Sequence, residues 1–98
     1  MADQFTQTTL FDTAEHLKTA EDIAAFLDAA AAEDDPAFMV HALGIAARAH
    51  GMMQLSRDTG VSREGLYKAL GEGGNPTLST LMAVAKALNL HLSFTPRS

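Results

Sequence analysis

Cysteine is missing from the chain, so no disulfide staples the fold and no thiolate can hold a metal. Long apolar runs are missing too: none approaches the roughly 18 residues that a membrane-spanning helix needs. The opening Met1-Ala2-Asp3-Gln4-Phe5 lacks the basic and apolar regions of a secretory signal, so the expected location is the cytoplasm. Bases are scarce at one end. Residues 1–40 hold nine acids and a single base, Lys18, for a net charge of −8, whereas residues 41–98 hold six bases and three acids, net +3. Such asymmetry within an overall charge of −5 suggests two surfaces with different partners.

Catalytic and metal chemistry lack their usual residue sets. Ser56 and Ser62 have no histidine beside them to activate a hydroxyl, and no nucleophile elbow surrounds either. The glycine-rich stretch 71–74 lacks the lysine and Ser/Thr of a nucleotide-binding loop. His41 and His50 are nine residues apart on one expected helix, about 180° around it, and cannot share an ion. His16 and His91 stand in no ligand spacing, and Glu33-Asp34-Asp35 reads as an interhelix loop that caps the next helix. Neither an enzyme nor a cofactor is expected.

What remains is one ordinary globular domain of 98 residues, 47% hydrophobic and 19% charged. Residues 1–10 are polar and aperiodic, and a helical turn is expected at 12–17, capped by Asp12. Thr19 is a candidate N-cap with Glu21 and Asp22 in the first turn, ahead of an apolar stripe of Ile23, Phe26, Leu27, Ala30 and Ala31. Asp35-Pro36 starts a second helix with Phe38, Met39, Ala42, Leu43, Ala46 and Ala49 inward, ending at Gly51. Short helices are expected from Met52 to Thr59 and from Ser62 to Leu70, and a loop over 71–76. Thr77 caps a last helix with Leu78, Leu81, Met82, Ala85 and Leu88 inward. Leu90, Leu92 and Phe94 alternate with polar residues, which predicts a short C-terminal strand.

The informative stretch is 52–70. Two short helices that cross at a tight turn need a small residue at the crossing, supplied by Ser56, and one tolerant of positive φ, supplied by Gly60. Leu55, Val61, Leu66 and Ala69 are placed to lock the crossing, and Ser62 to cap the second helix. With Leu66, Ala69 and Leu70 inward, Glu64, Tyr67 and Lys68 fall on the outer side, with Arg63 at its edge in the first turn. Arg63 suits guanine, Glu64 the cytosine amino group, and Tyr67 and Lys68 a phosphate or thymine methyl. Gly65 leaves room for close approach, and Gln54 joins the candidate DNA-facing residues. An ordinary helix pair within a bundle would carry much of the same pattern.

The run Leu-Ser-Arg-Asp-Thr-Gly-Val-Ser-Arg-Glu-Gly-Leu-Tyr-Lys-Ala-Leu from Leu55, followed by Gly-Asn-Pro-Thr from Gly74, resembles the addiction-module antidote proteins. These are HigA-like antitoxins of the wider Xre-type helix-turn-helix group. The resemblance extends over roughly residues 11–92, through Phe11-Asp12, Asp35-Pro36, Ala42-Leu43, Arg48-Ala49 and Gly51-Met52. It implies an all-α, five-helix, Xre/lambda-repressor-like domain with an N-terminal helical extension. It also implies a dimeric antitoxin that represses its own operon by binding double-stranded operator DNA and neutralises a RelE/ParE-like toxin. Ser62, Arg63, Tyr67 and Lys68 would then face DNA, with Asn75 near the backbone. Ser56 stands where the family usually has alanine, and the loop 71–73 is richer in glycine than is usual.

The expected division is an acidic extension over residues 1–34, which would hold the toxin, and a DNA-binding unit with its strand over 35–98. Phe5, Leu10, Phe11 and Leu17 are the candidate toxin anchors, since a partly ordered acidic segment would be steered toward a basic partner; the alternative is that Phe11 and Leu17 cap the domain's own core. Two rivals stand beside this reading. One is a phage-type regulator with no toxin, and the other an adaptor whose helix pair never meets DNA.

Overall fold

The computed structural model describes residues 16–97. Among them are five helices and no strand: α1 (Ala20–Ala31), α2 (Pro36–His50), α3 (Met52–Thr59), α4 (Arg63–Ala69) and α5 (Leu78–Ala87). The expected aperiodic start and the Asp12-capped turn lie outside the described residues, apart from His16, which is helical, and Leu17.

Every helix but α3, which starts at Gly51 without a side-chain cap, begins where a short polar side chain serves its unsatisfied amides. Thr19 and Asp22 form a reciprocal capping box at α1: the Thr19 hydroxyl accepts from the Asp22 amide, and the Asp22 carboxylate from the amides of Thr19 and Lys18. Those amides hold the Asp22 carboxyl below the usual carboxylate range, Lys18 foremost. Asp35 accepts from Ala37 and Phe38 at the start of α2, where Pro36 occupies a position that has no helical bond to lose.

The core runs through all five helices. Leu17, Ile23, Leu27 and Ala30 come from the first segment, and Ala42, Leu43, Ile45, Ala46 and Ala47 from α2. Leu55, Leu66 and Val84 are its largest fully enclosed side chains, one from each of α3, α4 and α5. Helix α3 is the hub, packed against α2, α4 and α5, while α1 packs on α2. Gly44 marks a close approach within this packing: a Cβ there would lie 2.6 Å from the carbonyl oxygen of Leu70, at the end of α4. No helix among the described residues is long and apolar enough to cross a membrane.

Three expectations are corrected. Phe38 and Ala31 are exposed, because they fall at the edges of their stripes. Helix α5 buries Val84 and Leu88 with Leu81 half-covered, so its inward face is rotated from the expected one, and Leu78 and Met82 stand 65% and 52% exposed. The C-terminal strand is not formed. Helix α5 ends with Asn89 in the left-handed region, and the Asn89 and Leu90 amides reach back to the carbonyls of Lys86 and Ala85. That cap commits the Leu90 amide to the helix, and the described chain offers no neighbouring strand for the residues beyond it.

Candidate functional site

The turn joining α3 to α4 is fixed by its own side chains. Gly60 adopts the left-handed conformation (φ 78°) that closes α3, its amide bonded to the carbonyl of Ser56. The Ser56 hydroxyl donates to the carbonyl of Val61 at 2.6 Å. The Thr59 hydroxyl donates to the carbonyl of Leu55 at 2.8 Å and accepts from the Val61 amide at 3.1 Å. Two hydroxyls thus tie the last turn of α3 to the residue before the α4 cap. The small size of Ser56 is legible in the sequence; its hydrogen bond, and the part played by Thr59, are not.

Ser62 accepts from the Gly65 amide at 3.0 Å and starts α4. Leu66 is fully enclosed and Leu70 3% exposed, which sets the rotation of the helix. Arg63, Glu64, Tyr67 and Lys68 are consequently exposed together on its outer side, Tyr67 to 45%. None of the four has a side-chain hydrogen bond or ion pair within the described chain, so each is free to meet a partner. Gly65 is explained from within. A Cβ there would stand 3.1 Å from Val61 Cγ1 and 3.2 Å from Ser62 Oγ, so glycine keeps the cap and the crossing close.

The other proposed contacts lie nearby in sequence but are not all alike. Gln54 is exposed on α3, yet its side-chain amide already donates to Asp58 at 2.9 Å, one helical turn away. Asn75 is exposed in the loop after α4, on the wall of a groove of about 750 Å³ between that loop and α2, which His41 and Arg48 also line.

Of the proposed toxin anchors, Phe5, Leu10 and Phe11 lie outside the described residues. Leu17 is 7% exposed and belongs to the domain core, so in the folded protein it is not available at the surface. The outer side of the first helical region remains acidic and open, with Glu21, Asp28 and Glu33 exposed. Among the described residues no group of three or more His, Asp or Glu side chains could hold a metal ion. One contact had no signal in the sequence: the Arg97 guanidinium clasps both carboxylate oxygens of Asp34 at 2.8 and 2.9 Å, tying the tail to the α1–α2 turn across 63 positions. The clasp lowers the Asp34 pKa and raises that of Arg97.

Comparison with known proteins places the chain. No solved structure matches it. A protein of Haemophilus influenzae, itself described only as uncharacterized, is 54% identical over 80 residues, covering 82% of each chain. A family model described as "Probable addiction module antidote protein" matches residues 7–96, nearly the whole length. The chain therefore belongs to the family of probable addiction module antidote proteins.

Proposed function

We propose that this protein is the antitoxin of a type II toxin-antitoxin module, neutralising a RelE/ParE-like toxin and repressing its own operon as a HigA-like, Xre-type helix-turn-helix protein. The observation that carries the DNA-binding half is the outer face of α4. Arg63, Glu64, Tyr67 and Lys68 project together from a helix whose rotation is locked by Leu66 and whose entry is fixed by a bonded turn. A helix presented in this way fits the major groove, with Arg63 and Glu64 at base edges and Lys68 at phosphate. Asn75 and the Ser62 hydroxyl add contacts at the backbone, while Gln54 must first release Asp58 to join them. One such helix covers only a few base pairs, so operator binding calls for a homodimer with half-sites about 34 Å apart.

The toxin is assigned to residues 1–34. This part carries most of the chain's acids, and the exposed Glu21, Asp28 and Glu33 would steer a basic partner toward it. Phe5, Leu10 and Phe11 are the apolar anchors of this proposal; Leu17 is left to the core. Replacing those three together by alanine in the full chain should abolish protection against the toxin encoded beside its gene, while operator binding stays. A triple variant that still protects cells moves the toxin site elsewhere. An absence of any toxic neighbour would favour a stand-alone regulator.

A further inference from the structure

Among the described residues nothing covers the face formed by α5 and the tail after it. Leu78, Met82 and Leu92 are 65%, 52% and 42% exposed, and Phe94 is 91% exposed, the most open of the large apolar side chains among the described residues. Beside them lies a groove of about 410 Å³ between the outer side of α5 and the tail, lined by Met82, Ala85, Leu90 and Leu92, with Lys86 and His91 also on its walls. The surface thus offers an apolar knob and, two residues away, an apolar hole.

We propose that a second copy of this chain covers this face, with Phe94 of each copy seated in the α5–tail groove of the other. The inference deepens the homodimer on which the proposed operator binding rests. A knob and a hole on one surface are self-complementary under a two-fold axis: each copy fills the other, and the contact closes without leaving an open end. The hole is large enough, since a dry apolar cavity of about 150 Å³ already admits a benzene ring. With all four side chains fully covered on both copies, the area reaches the lower edge of the range. Phe94 offers on the order of 150 Å². Counted twice with Leu78, Met82 and Leu92, the total comes to about 1,000 Å², the lower bound for a specific contact. The tail is tethered at both ends, by the helix cap at Leu90 and by the exposed Arg97–Asp34 clasp. The face also lacks the acidic character of the surface assigned to the toxin.

The test is the oligomeric state of the full chain by sedimentation velocity over a concentration series. Wild type should be dimeric at micromolar concentration. Phe94→Ala should raise the dimer Kd about 100-fold or more, and at concentrations where both chains are monomeric it should melt like wild type, because the side chain is exposed in the single chain. Phe94→Trp should remain dimeric. The described chain holds no free cysteine, so mixing Phe94→Cys with Ala85→Cys under oxidising conditions should give a crosslinked pair between the two variants. A monomeric wild type, or a Phe94→Ala variant that dimerises like wild type, overturns the proposal. So does a Phe94→Ala variant that stays dimeric and loses the toxin, which would give the face to the toxin. Operator affinity measured in parallel reports on the reading beneath: a dimer indifferent to residue 94 that still binds the operator leaves that reading standing.

Discussion

Helices α4 and α5 are built alike inward and unlike outward. Each is started by a hydroxyl that accepts from an amide three residues on, Ser62 from Gly65 and Thr77 from Thr80. Each buries a narrow stripe, Leu66 and Leu70 in one, Val84 and Leu88 in the other. On the outer side, α4 presents Arg63, Glu64, Tyr67 and Lys68, whereas α5 presents Leu78 and Met82. Water solvates the first face at no cost, and a polyanion can replace that water. The second face gains only when something apolar covers it. Two scaffolds of nearly the same design thus carry outer surfaces of opposite chemistry.

The comparison breaks most readily at the inward stripes. Leu55→Ala or Leu66→Ala should cost about 2–5 kcal/mol in urea unfolding, since both are fully enclosed. Leu78→Ala on the outer face of α5, measured at concentrations where the chain is monomeric, should change stability by no more than about 0.5 kcal/mol. Equal losses at Leu66 and Leu78 would erase the distinction between the two faces. Gly44→Ala comes next. Its methyl group would meet the Leu70 carbonyl, so a loss of about 1–3 kcal/mol is expected despite the better helix propensity of alanine. Ser56→Ala should cost about 1 kcal/mol by freeing the Val61 carbonyl, and thermal unfolding of that variant would show it. A neutral Ser56→Ala would mean that the turn is held by Gly60 and Thr59 alone.

The smallest effect expected is with pH. The Asp22 carboxyl is held below its ordinary value of 3.8 by the Lys18 and Thr19 amides. Its contribution to stability is therefore complete above that ordinary value and is lost as pH falls through the lower folded one. Asp22→Asn should remove this part of the acid-side decline in melting temperature. An acid limb identical to that of wild type would show the capping box to be idle.

Local signals were legible and partner choice was not. Thr19, Asp35, Ser62 and Thr77 cap the helices that their positions announce, because a cap is decided within three or four residues. Gly60 closes α3 for the same reason. The outer face of α4 follows from one helical rotation once Leu66 and Leu70 are taken as inward. In α5, apolar residues lie on two sides, and periodicity alone does not say which side meets α3. The tail alternates as a strand does, but a strand needs a neighbour and none stands beside it among the described residues. The Asp34–Arg97 clasp joins residues 63 positions apart, beyond the reach of any local pattern. At Leu17 the same apolar side chain would serve a core or a partner equally well in sequence, and packing gives it to the core.

The most direct test of the central claim is the salt dependence of binding to the DNA upstream of the protein's own gene, measured by fluorescence anisotropy for wild type and two α4 variants. Lys68→Ala should weaken binding to every duplex and reduce the slope of log affinity against log salt by about 1. Arg63→Ala should keep most of the affinity for unrelated DNA while losing about 1–3 kcal/mol of discrimination for the operator. If both variants bind with the affinity, the discrimination and the salt slope of wild type, the outer face of α4 does not read DNA.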